Sequence, residues 1–239
     1  MRLSLPAAAL LAVLLPVTVI GCASGDAAAP KTGATSKTAA APKPAASLAN
    51  LPTGTQLKAE LAPKSFFPAG FAQDAGVTND SKDEYQTTPT PAPAKPDCTL
   101  LSGTGWFTIT GIDAVSFAQT AYVDSATSAE QDQEVFAYAG NGAATQLADV
   151  GRLATLCPSY TDAQTHSKVK VTERAATGLG DGAFAITLTD PDWKTGSTLE
   201  AVRVGSEDLF VYSTSGPSNG ATDATKLSRY LAGKLKTLR

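Results

Sequence analysis

The chain has 239 residues, of which 43% are hydrophobic, and its 19 Lys and Arg against 22 Asp and Glu give a formal net charge of −3. This mildly acidic composition shows no basic stripe and argues against a nucleic-acid partner. The hydrophobic content is sufficient for the core of one globular domain.

Residues 1–21 predict a secretory signal peptide. Arg2 supplies a positive charge, an apolar run follows, and small residues end the run, which is the pattern of export signals. A membrane-spanning helix is the alternative, but it needs about 20 apolar residues and usually a basic flank. Here Pro6 and Pro16 interrupt the run, and the first charge after it is Asp26.

The motif Val19-Ile20-Gly21-Cys22 resembles the bacterial lipobox. In lipobox proteins the cysteine sulfur receives a diacylglycerol and the signal is cut just before it. The resemblance implies that Cys22 carries acyl chains such as palmitate and holds the protein on the extracytoplasmic side of the cell membrane. Each buried CH₂ contributes about 0.8 kcal/mol, so two chains make a lasting anchor. An ordinary secreted protein with a cysteine near its cleavage site is the alternative.

Residues 22–48 predict a flexible stalk that is rich in Ala, Pro, Lys and Thr. The segment has no aromatic residue and no periodic apolar face, so it cannot bury enough surface to order itself. Its lysines favour contact with anionic headgroups or, more simply, solubility. The chain therefore divides into a signal peptide at 1–21, a stalk at 22–48 and a folded domain at 49–239.

The remaining cysteines, Cys98 and Cys157, predict a disulfide, because an even pair in an exported protein is usually oxidised. Two free buried thiols are the alternative. We expect no metal site, since His166 is the one histidine and the CxxC spacing is absent, and we expect no cofactor.

The folded domain predicts the order helix, strands, helix, strands, helix, which is typical of the α+β class. We expect a single antiparallel sheet with the helices packed on one face. The predicted elements are a helix at 55–61, strands at 105–111, 116–124 and 133–140, a helix at 143–157, strands at 167–174, 182–190, 197–205 and 208–215, and a final helix from Thr222.

The acidic segment QDAGVTNDSKDEY at 73–85 predicts a solvated loop. A calcium site is the alternative, because Asp74, Asp80, Asp83 and Glu84 offer carboxylate oxygens, but the spacing of a helix–loop–helix calcium motif is absent.

The order of elements resembles the extracellular sensor domain of actinobacterial receptor-type Ser/Thr kinases, the PknH-like group, which also occurs as free lipoproteins. The resemblance rests on Asp97-Cys98 after a long loop, a helix that ends in Cys157, and the hairpin LEAVRVGSEDLFVYSTSG before an Ala- and Leu-faced helix. It covers roughly residues 50–239. That family usually carries two disulfides, of which one is matched here. The resemblance implies an α+β sensor or ligand-binding domain with a cleft, and it supplies no catalytic residues.

Four side chains are candidate ligand-binding residues. Trp193 lies at the predicted tip between two strands, where aromatic side chains often serve recognition, although it could also fold back onto the sheet. Trp106 and Tyr122 are expected in the core or in a cleft wall. Arg203 could hold an anionic ligand or pair with Glu200 or Glu134.

These patterns favour a membrane-anchored, exported lipoprotein that binds or senses a small molecule or an envelope protein. A lipid or hydrophobe carrier is the first alternative, and it needs a large apolar cavity. A cell-envelope hydrolase is the second alternative. We do not expect an enzyme, because the sequence shows no nucleophile motif and His166 lies in a predicted loop.

Overall fold

Eight antiparallel strands form one sheet in the computed structural model, which describes Leu48 and residues 50–238. The strands are β1 (Phe71–Asp80), β2 (Ala114–Asp124), β3 (Ala129–Tyr138), β4 (Ser159–Thr161), β5 (Lys168–Ala175), β6 (Gly182–Thr189), β7 (Ser197–Val204) and β8 (Glu207–Ser213). Their order in the sheet is β1-β2-β3-β8-β7-β6-β5-β4, so two meanders meet where β3 pairs with β8. The predicted signal peptide, Cys22 and residues 23–47 of the predicted stalk lie outside the described residues.

Short helices connect and cover these strands. They are α1 (Gly54–Glu60), α2 (Phe107–Thr110), α3 (Gly142–Val150), α4 (Leu153–Leu156) and α5 (Ala221–Leu235), with 3₁₀ helices at Lys64–Phe66, Cys98–Leu101, Thr104–Trp106 and Lys236–Leu238. A capping box begins α1, because the Thr53 hydroxyl accepts the Gln56 N–H and the Gln56 side chain accepts the Thr53 N–H. None of the helices within the described residues is long and apolar enough to cross a lipid bilayer.

Helices cover both faces of the sheet. Alternate side chains of a strand point to opposite faces, and in β8 Leu209 and Val211 pack with α1 and α5, on the side that we call the α5 face. Phe210 and Tyr212 pack with α2, α3, α4 and the segment around Trp106, on the side that we call the α3 face. The prediction that the helices share one face is therefore not confirmed. All seven residues of β8 are buried, and a strand buried on both sides needs a covering layer on each.

The α+β class and the single antiparallel sheet are confirmed. Two local predictions are wrong. The segment 105–111 forms the end of a 3₁₀ helix and α2, because Trp106 and Ile109 bury themselves at helical spacing. The acidic segment is largely the edge strand β1, in which Asp80 is buried and its carboxylate accepts hydrogen bonds from Lys58 at 2.9 Å and Lys82 at 3.0 Å. These lysines lower the pKa of Asp80 to about 2.

Candidate functional site

Directly after Ala129, the strand β3 carries five consecutive polar residues at the centre of the sheet, Glu130-Gln131-Asp132-Gln133-Glu134. The last four are buried, although a central strand covered on both faces is normally apolar. Alternation sends Gln131 and Gln133 to the α5 face, and it sends Asp132 and Glu134 to the α3 face.

The two glutamines have structural partners. The Gln133 amide accepts the N–H of Ala62 at 2.7 Å and donates to the carbonyl of Ala62 at 2.9 Å, which fixes the chain just after α1. Gln131 donates to the hydroxyl of Ser215 at 2.9 Å, and that hydroxyl donates to Asp223 in α5. Both amides therefore link the sheet to the helical layer on the α5 face.

The two carboxyl groups are less well satisfied. Both oxygens of Asp132 and one oxygen of Glu134 are buried with no hydrogen-bond partner of standard geometry among the described residues, although the Glu130 carboxyl group is near enough to Asp132 to share a proton with it. The other oxygen of Glu134 accepts the indole N–H of Trp106 at 3.1 Å. Buried polar atoms without a partner are rare in native proteins and each needs an explanation.

Burial keeps both acids protonated at neutral pH. It raises the pKa of Glu134 to about 8, against the opposing effect of the Trp106 hydrogen bond. It also raises the pKa of Asp132 far above its ordinary value, and the neighbouring carboxyl groups of Glu130 and Glu134 raise it further. The strand thus carries two uncharged acids side by side.

Three aromatic rings close over these acids. Trp106, Phe210 and Tyr212, together with Leu199, surround a gap that borders Asp132 and Glu134 and is too small for a water molecule. The Trp106 ring is 1% exposed, and its centroid lies 3.8 Å from that of Phe210. The gap is therefore dry and aromatic, with carboxyl groups on one wall.

Tyr212 also lines an open cleft of about 430 Å³. The cleft lies at the end of the sheet where the β2–β3, β4–β5 and β6–β7 connections meet, and Trp193 and Asp162 line it. Hydroxyl groups supply much of the remaining lining, from Ser102, Ser128, Thr165, Thr195, Ser197 and Thr214. A cleft of this size, with aromatic and hydrogen-bonding groups, suits a small ligand.

The disulfide predicted between Cys98 and Cys157 is confirmed, with Cα atoms 5.5 Å apart. It joins the 3₁₀ helix Cys98–Leu101 to the end of α4. The segment from Cys98 to Trp106 supplies both the Trp106 ring over the acids and Ser102 in the cleft. The disulfide therefore holds this covering segment against the α3 face.

The four candidate ligand-binding residues do not converge on one site. Trp193 lines the cleft and Trp106 lines the gap, so these two lie on the same face with Tyr212 between the two spaces. Tyr122 lies on the α5 face, where its ring stacks on Phe67 at 4.0 Å. Arg203 lies at the opposite end of β7 from the cleft and donates to the carbonyls of Asp181 and Gly205, each at 3.4 Å.

Asp132, Glu134 and Tyr212 were not predicted to form a site. Residues 125–132 were predicted to connect two strands, whereas β3 begins at Ala129. The available signal was the polar run itself, which continues directly into the apolar strand residues Val135 and Phe136.

The described residues also form a basic groove and an apolar cleft. The basic groove of about 610 Å³ beside α5 is lined by Arg174, Lys226 and Arg229. The fold thus brings Arg174 of β5 close to two cations of α5 that are distant from it in the sequence. The apolar cleft of about 180 Å³ includes Phe107, Phe117 and Phe136.

Comparison with known proteins gives no family assignment, because no family model matches the chain and no curated protein matches it significantly. The resemblance to the PknH-like sensor domain therefore stays a prediction from the order of elements. Within the described residues there is also no cluster of His, Cys, Asp and Glu side chains suited to a metal ion.

Proposed function

We propose that this protein is a membrane-anchored extracytoplasmic lipoprotein whose folded domain binds a small ligand in the Trp193 cleft, as a sensory or binding module. The lipobox-like motif at Val19–Cys22 supports the anchor. The disulfide supports export, because such bonds persist in oxidising compartments. The predicted stalk would let the domain reach ligands or envelope proteins near the membrane.

One observation carries the binding function: buried carboxyl groups without partners lie directly behind an open cleft. Buried polar groups that lack hydrogen-bond partners and do not link elements of the fold are expected at functional sites. Trp193 on the cleft wall provides a surface for a ligand, in keeping with the prevalence of Trp in binding hot spots.

The carrier alternative is less well supported. A carrier needs a large apolar cavity, and pockets for drug-sized ligands have about 300–1,000 Å³. The apolar cleft beside Phe117 has about 180 Å³, and the larger Trp193 cleft is lined mostly by polar side chains.

The anchor is tested by replacing Cys22 with Ser. We expect the variant to leave the membrane fraction or to keep its signal peptide, because serine cannot form the thioether to diacylglycerol. The conservative change Ser24→Ala serves as the control and should stay in the membrane fraction at its processed mass. Membrane retention and unchanged mass of Cys22→Ser would contradict the anchor.

The binding function is tested by native mass spectrometry of the full protein purified from its own host. We expect a bound small molecule in the wild type, and we expect Trp193→Ala to lose it. Retention of the same mass by Trp193→Ala, or a wild-type protein with nothing bound, would contradict binding in this cleft.

A further inference from the structure

We propose that the Trp193 cleft recognises an organic cation, and that Tyr212 moves aside so that the ammonium group reaches Asp132 and Glu134. This inference rests on the binding function proposed above and names the chemical class of its ligand.

The first support is the sign of the charges. Among the described residues, the charged or chargeable side chains that line the cleft and the gap are Asp162, Asp132 and Glu134, apart from the phenol of Tyr212. All three are acids: Asp162 is ionised, because hydrogen bonds lower its pKa, and Asp132 and Glu134 add negative charge when a bound cation draws off their protons.

The second support is the aromatic composition. Trp106, Phe210 and Tyr212 surround the gap, and Trp193 stands on the wall of the cleft. The negative face of an aromatic ring attracts a cation, most strongly for Trp, and ammonium ligands are often held in aromatic cages. Rings and carboxyl groups together provide both kinds of contact that an ammonium group uses.

The third support is the cost of the unpaired acids. A buried carboxyl group without a hydrogen-bond partner destabilises the free protein. An arriving ammonium group supplies N–H donors or a compensating charge, and the acid can then ionise. Each carboxyl group that ionises releases one proton to the solvent, so cation binding and proton release are coupled.

The geometry makes Tyr212 the partition between the two spaces. Of the described residues, Tyr212 alone lines both the gap and the cleft. In the β3–β8 ladder Tyr212 pairs directly with Asp132, so the ring stands beside that carboxyl group. A rotation of this one side chain would join the gap to the cleft.

The charged surroundings decide the direction of the pH dependence. On its own strand, Asp132 faces the carboxyl groups of Glu130 and Glu134. From neighbouring strands it faces Asp74 on β1 and the phenol of Tyr212 on β8. Glu134 faces Trp106 from the covering segment. No basic side chain among the described residues raises or lowers either pKa. Cation binding should therefore strengthen as the pH rises and the acids give up their protons more readily.

The test uses the full protein in detergent and two cationic probes, choline and spermidine, with dimethylbutanol as the neutral isostere of choline. Nitrogen–proton correlation spectra follow the indole signals of Trp106 and Trp193, the two tryptophans of the chain. We expect at least one cation to shift both signals and to bind about tenfold more tightly than the neutral alcohol. We also expect its affinity to rise between pH 6 and pH 8.

Two variants assign the effect to the acids. The double variant Asp132→Asn/Glu134→Gln should weaken binding of the cation by about tenfold or more. Asp208→Asn is the matched control, because Asp208 is also a buried carboxyl group without a hydrogen-bond partner among the described residues, on the same face, but it does not line the gap. This control should bind the probe with unchanged affinity.

Several results would overturn the inference: no shift with either cation, equal affinity for the neutral alcohol, or unchanged affinity in the double variant. A native ligand that is lost in Trp193→Ala but proves neutral or anionic would also overturn it, and would leave the proposed binding function intact. If Asp208→Asn alone abolishes the preference for the cation over the neutral alcohol, the cation does not bind at Asp132 and Glu134, and the inference fails.

Discussion

Two pairs of buried polar side chains leave the same strand in opposite directions. Gln131 and Gln133 point to the α5 face, where each amide is hydrogen-bonded to a chain segment of the neighbouring layer. Asp132 and Glu134 point to the α3 face, where three of their four oxygens have no partner of standard geometry among the described residues. The two pairs are buried to a similar extent, so burial does not separate them. The presence or absence of hydrogen-bond partners does: the glutamines hold the fold together, and the carboxyl groups are available to a ligand.

The covering segment on the α3 face should be the most sensitive part of this arrangement. Removing the disulfide with Cys98→Ala/Cys157→Ala should lower the free energy of unfolding by about 4 kcal/mol, since the bond closes a loop with a sequence separation of 59. Urea denaturation with and without reductant measures the change. The wild type should lose stability on reduction while the variant does not respond, and a reductant-sensitive variant would contradict this assignment.

Removing hydrogen bonds on the α5 face should lower the free energy of unfolding nearly as much. Gln133→Leu removes both hydrogen bonds to Ala62 and leaves a buried N–H and a buried C=O without that partner, so the free energy of unfolding should fall by about 3 kcal/mol. Gln119→Leu is the milder comparison, because it removes a single part-buried hydrogen bond to Val77 and should cost about 1 kcal/mol. Equal costs for the two variants would remove the structural role assigned to Gln133.

Removing the single hydrogen bond to Glu134 should lower the free energy of unfolding by a smaller amount and should also change one pKa. Trp106→Phe keeps a ring against Phe210 but removes the indole N–H, and we expect a loss of about 1–2 kcal/mol in unfolding free energy. Because that hydrogen bond lowers the pKa of Glu134, the variant should raise it further. Titration of the Glu134 carboxyl carbon by NMR reads the shift, and a lowered pKa would contradict the geometry.

Trp193 should matter least for stability. Its ring is half-buried in the connection between β6 and β7, and Trp193→Ala should lower the free energy of unfolding by about 1 kcal/mol. Thermal unfolding monitored by circular dichroism measures this cost. A loss comparable to that of Gln133→Leu would make Trp193 a core residue rather than part of the cleft wall.

The sequence predicted the regular elements with clear periodicity. Alternating residues such as Val169 and Val171 in β5, or Phe184 and Ile186 in β6, identified strands, and the cysteine count together with the export signal predicted the disulfide. The edge strand β1 was missed because the eight positions between Phe71 and Asp80 are exposed or half-exposed and, apart from Val77, polar or small, so no apolar alternation marks it.

The candidate site was harder to predict, since its parts are far apart in the chain. Asp132 becomes notable only when Trp106 and Tyr212, from other elements, close over it. Even then, the sequence of β3 does not reveal that its glutamines have partners and its acids lack them. That difference arises from tertiary packing, to which local patterns are blind.

Above neutral pH, burying Asp132 and Glu134 should destabilise the fold on balance, even though Glu134 accepts a hydrogen bond from Trp106, and the pH dependence of stability tests this. Their pKa values in the folded state lie above the unfolded values near 4, so the native state retains protons that the unfolded state releases as the pH rises. The free energy of unfolding should therefore fall between pH 5 and pH 8, by up to about 1.4 kcal/mol per pH unit for each group. We expect Asp132→Asn/Glu134→Gln to reduce this slope, while Asp208, whose pKa burial also raises to about 8, keeps part of it. We expect the double variant to be more stable than the wild type at pH 8. A double variant that is less stable than the wild type at pH 8 would contradict it.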